Sequence, residues 1–272
     1  MLIGLHDFEK NVELRLYLSM LVRLRAKLTE VNRQEKGENI MIRPDTKVLV
    51  VAAHPDDEVL GCGASIAKWT ASGSLVHILI MAEGSTSRDL VRNREAKSNE
   101  LLLLEKSAHS AGNILGAASV KLLDFPDNRM DSLDRLDIIK AIEEEIKRLK
   151  PHTVVTHHCG DVNIDHRITH EAVVTACRPQ PGHSVRLLLA FEVMSSTEWQ
   201  TAGSNVVFQP NWFENVVEVF DYKIKALKSY QSEMREWPHP RSFQNIEYLA
   251  RCRGSTIGCE LAEGFMLLRV IQ

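Results

Sequence analysis

The feature that most constrains this chain is a series of apolar runs separated by helix-forming segments. KVLVVAA (47–53) is continuous rather than alternating, as a parallel strand covered on both faces requires. VHILIMA (76–82) repeats that character and SVKLLDF (119–125) does so weakly; HTVVTHH (152–158) and VRLLLAFEV (185–193) follow. Helical segments are predicted between them at about 63–72, 90–115, 132–149 and 166–177, the last stopped by the RPQPG turn. This βαβ rhythm predicts a doubly wound α/β sheet. Further on, the pattern predicts a strand near 205–219, helices near 221–235 and 242–253, and a final strand FMLLRVI.

Ahead of the sheet, residues 11–31 carry leucines and valines near helical spacing with arginines among them, an amphipathic helix. Its apolar side packs on its own domain or on a sister subunit, so a homo-oligomer formed through it is one expectation; a peripheral membrane contact is the sharper alternative. The organisation predicted is an N-terminal helical extension and connector over 1–45, then one domain over 46–272.

Composition removes several classes of function. Of 272 residues, 44% are hydrophobic, ample for a core, and the net charge of −3 is interspersed, with no nucleic-acid footprint. No apolar run reaches the roughly 18–20 residues of a membrane span, so no integral membrane segment is expected. Five scattered cysteines without a CxxC pair suit free thiols in a reducing, cytoplasmic setting.

Ligands of open α/β sheets bind beyond the C-terminal ends of the strands. There the chain places His54-Pro55-Asp56-Asp57-Glu58, then EGSTSRD with Arg88, FPDNRMD with Asp127, and HHCGDVNIDHR running from His157 to Arg167. A tight turn can aim His54 and Asp57 at one point, a pairing that suits zinc or another borderline divalent ion. DVNIDH offers His166 as a third ligand, and Asp56 can act as general base on water. Each cluster has a plainer explanation: Asp56 or Asp57 capping the next helix, and the second cluster as solvated loop. A nucleotide-binding Rossmann turn is a poor reading, because HPDDE stands where its glycines belong.

AAHPDDEVLGCGASIAK after a strand, with a distant Asp-His before a helix, resembles the LmbE/PIG-L family of zinc-dependent N-deacetylases. The similarity runs from about Lys47 to the end and includes AEGF at 262–265. It implies a Rossmann-like three-layer α/β/α fold with a mostly parallel sheet. It also implies removal of an acetyl group from an N-acetylated amino sugar, a small-molecule substrate. By position, His54, Asp57 and His166 are the implied Zn2+ ligands, with Fe2+ as another fitting metal. Asp56 is the implied base, and Arg88 and Asp127 lie in loops that touch the sugar in similar proteins.

The family commonly has His-x-Asp-His, whereas this chain has Asn163-Ile164-Asp165-His166. Asp165 is the residue that holds the first histidine in the common pattern. Asparagine can donate to an oxyanion but carries no titrating proton. Either Asn163 is a neutral oxyanion donor and another group (Asp56, His157 or His158) is the acid, or turnover is lost and the protein only binds zinc. The same chemistry on another N-acylated metabolite, such as a thiol conjugate, antibiotic or lipid-linked sugar, is a further alternative. Arg241 in EWPHPRSF is a candidate substrate contact, Trp199 and Trp237 candidate sugar walls, and His170 a support for His166.

Overall fold

The computed structural model describes residue 42, residues 44–201, residue 203 and residues 206–272. The helix expected over 11–31, and with it the expected self-association, lies outside the described residues.

The five apolar runs form parallel strands: β1 (Lys47–Ala52), β2 (Leu75–Ala82), β3 (Ser119–Phe125), β4 (Thr153–His157) and β5 (Leu187–Phe191). β1 pairs with β2 on one side and β4 on the other, β2 with β3, and β4 with β5. The late strands β6 (Trp212–Asn215) and β7 (Ala262–Val270) complete the sheet in the order β3-β2-β1-β4-β5-β7-β6, with β7 antiparallel to both its neighbours. Every residue of β1 after Lys47 is buried, which explains the unalternating run.

Helices cover both faces. α3 (Arg135–Leu149) and α4 (Ile164–Ala176) share a core with Leu49, Val51, Leu79, Met81 and Val154. α1 (Asp57–Ala71), α2 (Ser98–Leu115) and α5 (Phe220–Leu227) pack together, and α6 (Phe243–Ile257) lies on β7. This is the mostly parallel three-layer α/β/α arrangement. No helix among the described residues is long and apolar enough to cross a membrane, and all five cysteines are free.

Some boundaries differ from expectation for identifiable reasons. α2 begins at Ser98 rather than near 90, because the Asn93 side chain accepts the Ala96 N–H and Arg92 is drawn to Glu83. α1 begins at Asp57 rather than 63, taking the acidic motif into its first turn. It is also broken at Cys62 (φ −148°, ψ 24°). The buried pair Lys223–Glu263 spans that break. Lys223 Nζ donates to the Leu60 carbonyl and to Glu263, whose carboxylate accepts the Ala64 and Ser65 amides. The charges thus serve the backbone groups that a continuous helix would have paired. Glycine is required at 61, where a Cβ would stand 2.2 Å from the Phe191 ring.

Candidate active site and metal centre

Chain direction reverses outward from β1: its crossover leads to β2 on one side, while β4 leads to β5 on the other. The gap beyond the ends of β1 and β4 is therefore the topological switch point, where such sheets bind ligands. The HPDDE turn leaves β1 there and the 158–163 loop leaves β4, so residues more than a hundred positions apart meet.

Asp56 has φ +113°, a conformation L-residues rarely adopt, and this turns Asp57 back under His54. Asp57 Oδ2 accepts the His54 N–H at 2.8 Å and lies 3.3 Å from His54 Nδ1 and 3.2 Å from His166 Nε2. Asp57 Oδ1 is buried without a hydrogen-bond partner. One donor atom from each of His54, Asp57 and His166 falls within 4.8 Å of the others. Two imidazoles and a carboxylate with one buried oxygen left unpartnered fit a divalent cation. His54, Asp127 and Asp165 form a second such set, but both Asp165 oxygens are occupied, by the Asn128 amide at 2.7 Å and the Met130 amide at 3.0 Å. The orphaned Asp57 oxygen favours the first set.

The outer nitrogens of both histidines are also held, as in protein metal sites generally. His54 Nε2 lies 3.0 Å from Asp165 Oδ2, and His166 Nδ1 lies 3.1 Å from Asp161 Oδ2. Asp161 is fixed in turn by Thr197 Oγ1 (2.7 Å), the Asn163 amide (2.8 Å) and Ser196 Oγ. Burial disfavours the charged His166 ring, but the Asp57 and Asp161 carboxylates outweigh it and raise the ring to about 9. Burial likewise pushes Asp57 up, and the neighbouring His166 and His54 rings hold it well below the usual carboxylate range. An incoming cation would displace those ring protons.

A polar cleft of about 180 Å³ opens beside this cluster, lined by His54, Asp56, Arg88, Asp127, Asn163, Glu233 and Arg241 among others. A larger hollow of about 610 Å³ against Glu83, Ser98 and Leu122 shares no lining residue with it. In the cleft, Asp56 Oδ2 accepts from Arg241 Nη1 at 2.7 Å, and Arg241 Nε donates to Ser195 Oγ at 2.7 Å. Burial raises the Asp56 carboxyl well above its ordinary value, against the pull of Arg241. The Asp56 side chain caps no helix. Instead Glu58 Oε2 accepts the Asp56 amide at 3.1 Å, while Glu58 Oε1 accepts the Tyr230 hydroxyl at 2.7 Å.

Arg88 Nη2 lies 2.9 and 2.8 Å from the two Glu233 oxygens. Asp127 accepts the Ser87 amide at 3.0 Å and Asn128 Nδ2 at 2.9 Å. Asn163 is the N-cap of α4: its Oδ1 accepts the Asp165 amide at 2.8 Å and its Nδ2 donates to Asn128 Oδ1 at 2.8 Å.

The structure does not bring His157 to the cleft. Its ring is fully buried, stacks on His166 at 4.0 Å between centroids, and accepts the Ala53 amide on Nε2 at 2.8 Å. Burial then holds it well below the ordinary histidine value, and the ring does not line the cleft. His158 donates to the Val206 carbonyl and His170 to the His157 carbonyl. Trp199 and Trp237 are half exposed and pair edge-on with His239 and Tyr248, outside the cleft lining. Sequence reasoning missed Glu233 and Tyr230 altogether, since no motif marks them. In the sequence Asp161 is one acid of the HHCGDVNIDHR loop, with nothing local to tie it to His166.

Comparison with known proteins places the chain in a family. The profile of PIG-L, GlcNAc-PI de-N-acetylase, matches residues 49–177. A protein of Escherichia coli (strain K12), named as uncharacterized deacetylase YaiS, is 32% identical over 191 residues, 68% of this chain and 90% of that protein. The chain belongs to the PIG-L (LmbE-like) family. Diacetylchitobiose deacetylase of Thermococcus kodakarensis is 30% identical over 233 residues, 80% of this chain and 81% of that one. Among solved structures, GalB, the 4-carboxy-2-hydroxymuconate hydratase of Pseudomonas putida KT2440, superposes with a TM-score of 0.66 at 24% identity, covering 84% of this chain and 98% of that chain. That likeness shows the fold alone. Within the PIG-L family the layer architecture is thus established, while the reaction has to be argued from the site.

Proposed function

We propose that this PIG-L family member is a metal-dependent N-deacetylase that hydrolyses the acetamide of an N-acetylated amino sugar. The observation that carries the reading is the Asp57 carboxylate, whose Oδ2 lies between His54 and His166 and whose Oδ1 is buried without a partner, beside a cleft that Asp56 lines. Zn2+, or Fe2+ in its place, held by His54, Asp57 and His166 would supply Lewis acidity for the acetyl carbonyl and the attacking water.

The chain's own groups perform the proton work. Asp56, fixed by Arg241, takes the proton of the attacking water and returns it to the departing amine, so one carboxylate serves as base and then acid. Arg241 keeps that carboxylate aimed. Asn163 lines the cleft and has a second amide hydrogen beyond the one given to Asn128, available to the developing oxyanion. Among the described residues, the cleft lining has no histidine apart from His54, so Asp56 is the group placed to return the proton. Arg88 and Asp127, which line the same cleft, present donors and an acceptor to sugar hydroxyls. The products are acetate and a free amino sugar.

The experiment is an acetate-release assay on N,N'-diacetylchitobiose and related N-acetylated sugars with zinc-loaded protein, before and after chelation. Acetate and amine in equal amounts, lost on chelation and restored by metal, support the reading. Metal bound with no acetate from any sugar would support a binding protein instead.

A further inference from the structure

The cleft contains two guanidinium groups, and each is already taken by a carboxylate that lines the same cleft. Arg241 is held by Asp56 at 2.7 Å and Arg88 by Glu233 at 2.8 Å. A third lining acid, Asp127, has the Ser87 amide and Asn128 Nδ2 as hydrogen-bond donors, with His54 Nε2 at 3.4 Å. Among the described lining residues, three carboxylates thus face two guanidiniums. The cleft presents hydrogen-bonding edges but no uncompensated arginine.

Glu233 differs from the other two acids in its placement. It comes from the turn after α5, far along the chain from the motif loops, and its side chain is 12% exposed while that of Arg88 is 49% exposed. Arg88 therefore reaches toward solvent with its charge neutralised from beneath. Its remaining N–H groups suit neutral acceptors such as sugar hydroxyls. A carboxylate or phosphate on the substrate would have to displace Glu233 from the guanidinium or lie beside it, and like charges disfavour both.

We infer that Glu233 is a specificity-determining residue: by occupying Arg88 inside the cleft it selects uncharged N-acetylated sugars and rejects conjugates whose aglycone is anionic. This rests on the deacetylase reading for the identity of the sugar, but it concerns charge selection and is read by binding. Rejection here is an added repulsive element rather than a missing contact.

The test uses full-length zinc-loaded protein, wild type and Glu233→Gln. The probes are N-acetylglucosaminyl L-malate, which carries two carboxylates, and its dimethyl ester, which has the same skeleton without charge. Kd for each is measured by calorimetry, with acetate release followed in parallel. The wild type is expected to bind the ester at least about tenfold more tightly than the acid. Glu233→Gln should shift that ratio by about tenfold toward the acid, the scale of one charge-assisted hydrogen bond. Arg88→Gln in the variant background should cancel the shift. A ratio taken within one preparation is insensitive to any fraction that fails to fold. Wild type that binds the acid as well as the ester, binds neither, or keeps its ratio in Glu233→Gln overturns the inference. The expected ratios, with no acetate released from these probes or from any other N-acetylated sugar, would remove the deacetylase reading and leave the Glu233 assignment standing.

Discussion

Asp161 holds His166 from behind: Asp161 Oδ2 lies 3.1 Å from His166 Nδ1, which leaves Nε2 directed at Asp57. A metal-ligating imidazole needs its proton on the outer nitrogen and its ring orientation fixed, and a buried carboxylate provides both. Asp161→Asn should weaken zinc affinity by about 10–100-fold, as such supporting partners do elsewhere. Competition with a chromophoric chelator measures this. Unchanged affinity in a folded variant would assign Asp161 to loop structure alone.

Asp56 offers a cleaner separation of binding from chemistry. It adjoins Asp57 yet its side chain meets Arg241 rather than the donor cluster. Asp56→Asn should therefore retain one metal per chain and lose about 10²–10⁴-fold in turnover, the usual contribution of a general base. Loss of the metal along with activity would move Asp56 into the ligand set.

Glu58 gives a pH signature. Burial lifts its carboxyl from the ordinary 4.5 to about 7, against the Tyr230 hydrogen bond. A carboxyl raised on folding binds more protons in the folded state, so the contribution of Glu58 to stability falls as pH rises from about 4.5 to 7 and then levels off. In chelated protein, the stability of Glu58→Gln relative to wild type should rise over that window by up to about 3 kcal/mol. The lost hydrogen bond sets the offset at pH 5, whereas the slope is the test. Parallel melting curves for the two proteins across the window would show that Glu58 titrates normally.

The pair Lys223–Glu263 makes a stability prediction. Glu263→Ala leaves the Lys223 ammonium buried and unpaired and exposes the break in α1. Removing one partner of a buried pair costs about 3–5 kcal/mol, which urea unfolding would detect. A loss below about 1 kcal/mol would mean that water enters the break and replaces the carboxylate.

What could be read from the sequence was mostly what is local. The continuous run before His54 marked a strand buried on both faces, and the three-residue spacing from His54 to Asp57 marked a turn that folds back on itself. His166 was legible through family resemblance, because only the sheet order brings the end of β4 beside β1. Glu233 and Tyr230 were not legible: Tyr230 reaches Glu58 from 172 positions away, through packing of α5 on α1 that no local pattern encodes. His157 is the opposite case. Its place at a strand end looked functional, but the last residue of a central strand points one ring into the interior, where it meets the Ala53 amide. Asn163 carried two signals at once, a departure from the family pattern and an ordinary helix N-cap, and the cap is directly visible in its bond to the Asp165 amide.

Metal-dependent deacetylation is tested most directly by acetate release from N,N'-diacetylchitobiose by protein reconstituted with one zinc per chain, set beside Asp56→Asn prepared identically. Acetate and free amine in equal amounts are expected from the wild type, abolished by chelation, with a loss of at least about a hundredfold in the variant. Folded, zinc-loaded wild type that releases no acetate from this or any N-acetylated sugar, or a variant as active as the wild type, would contradict it.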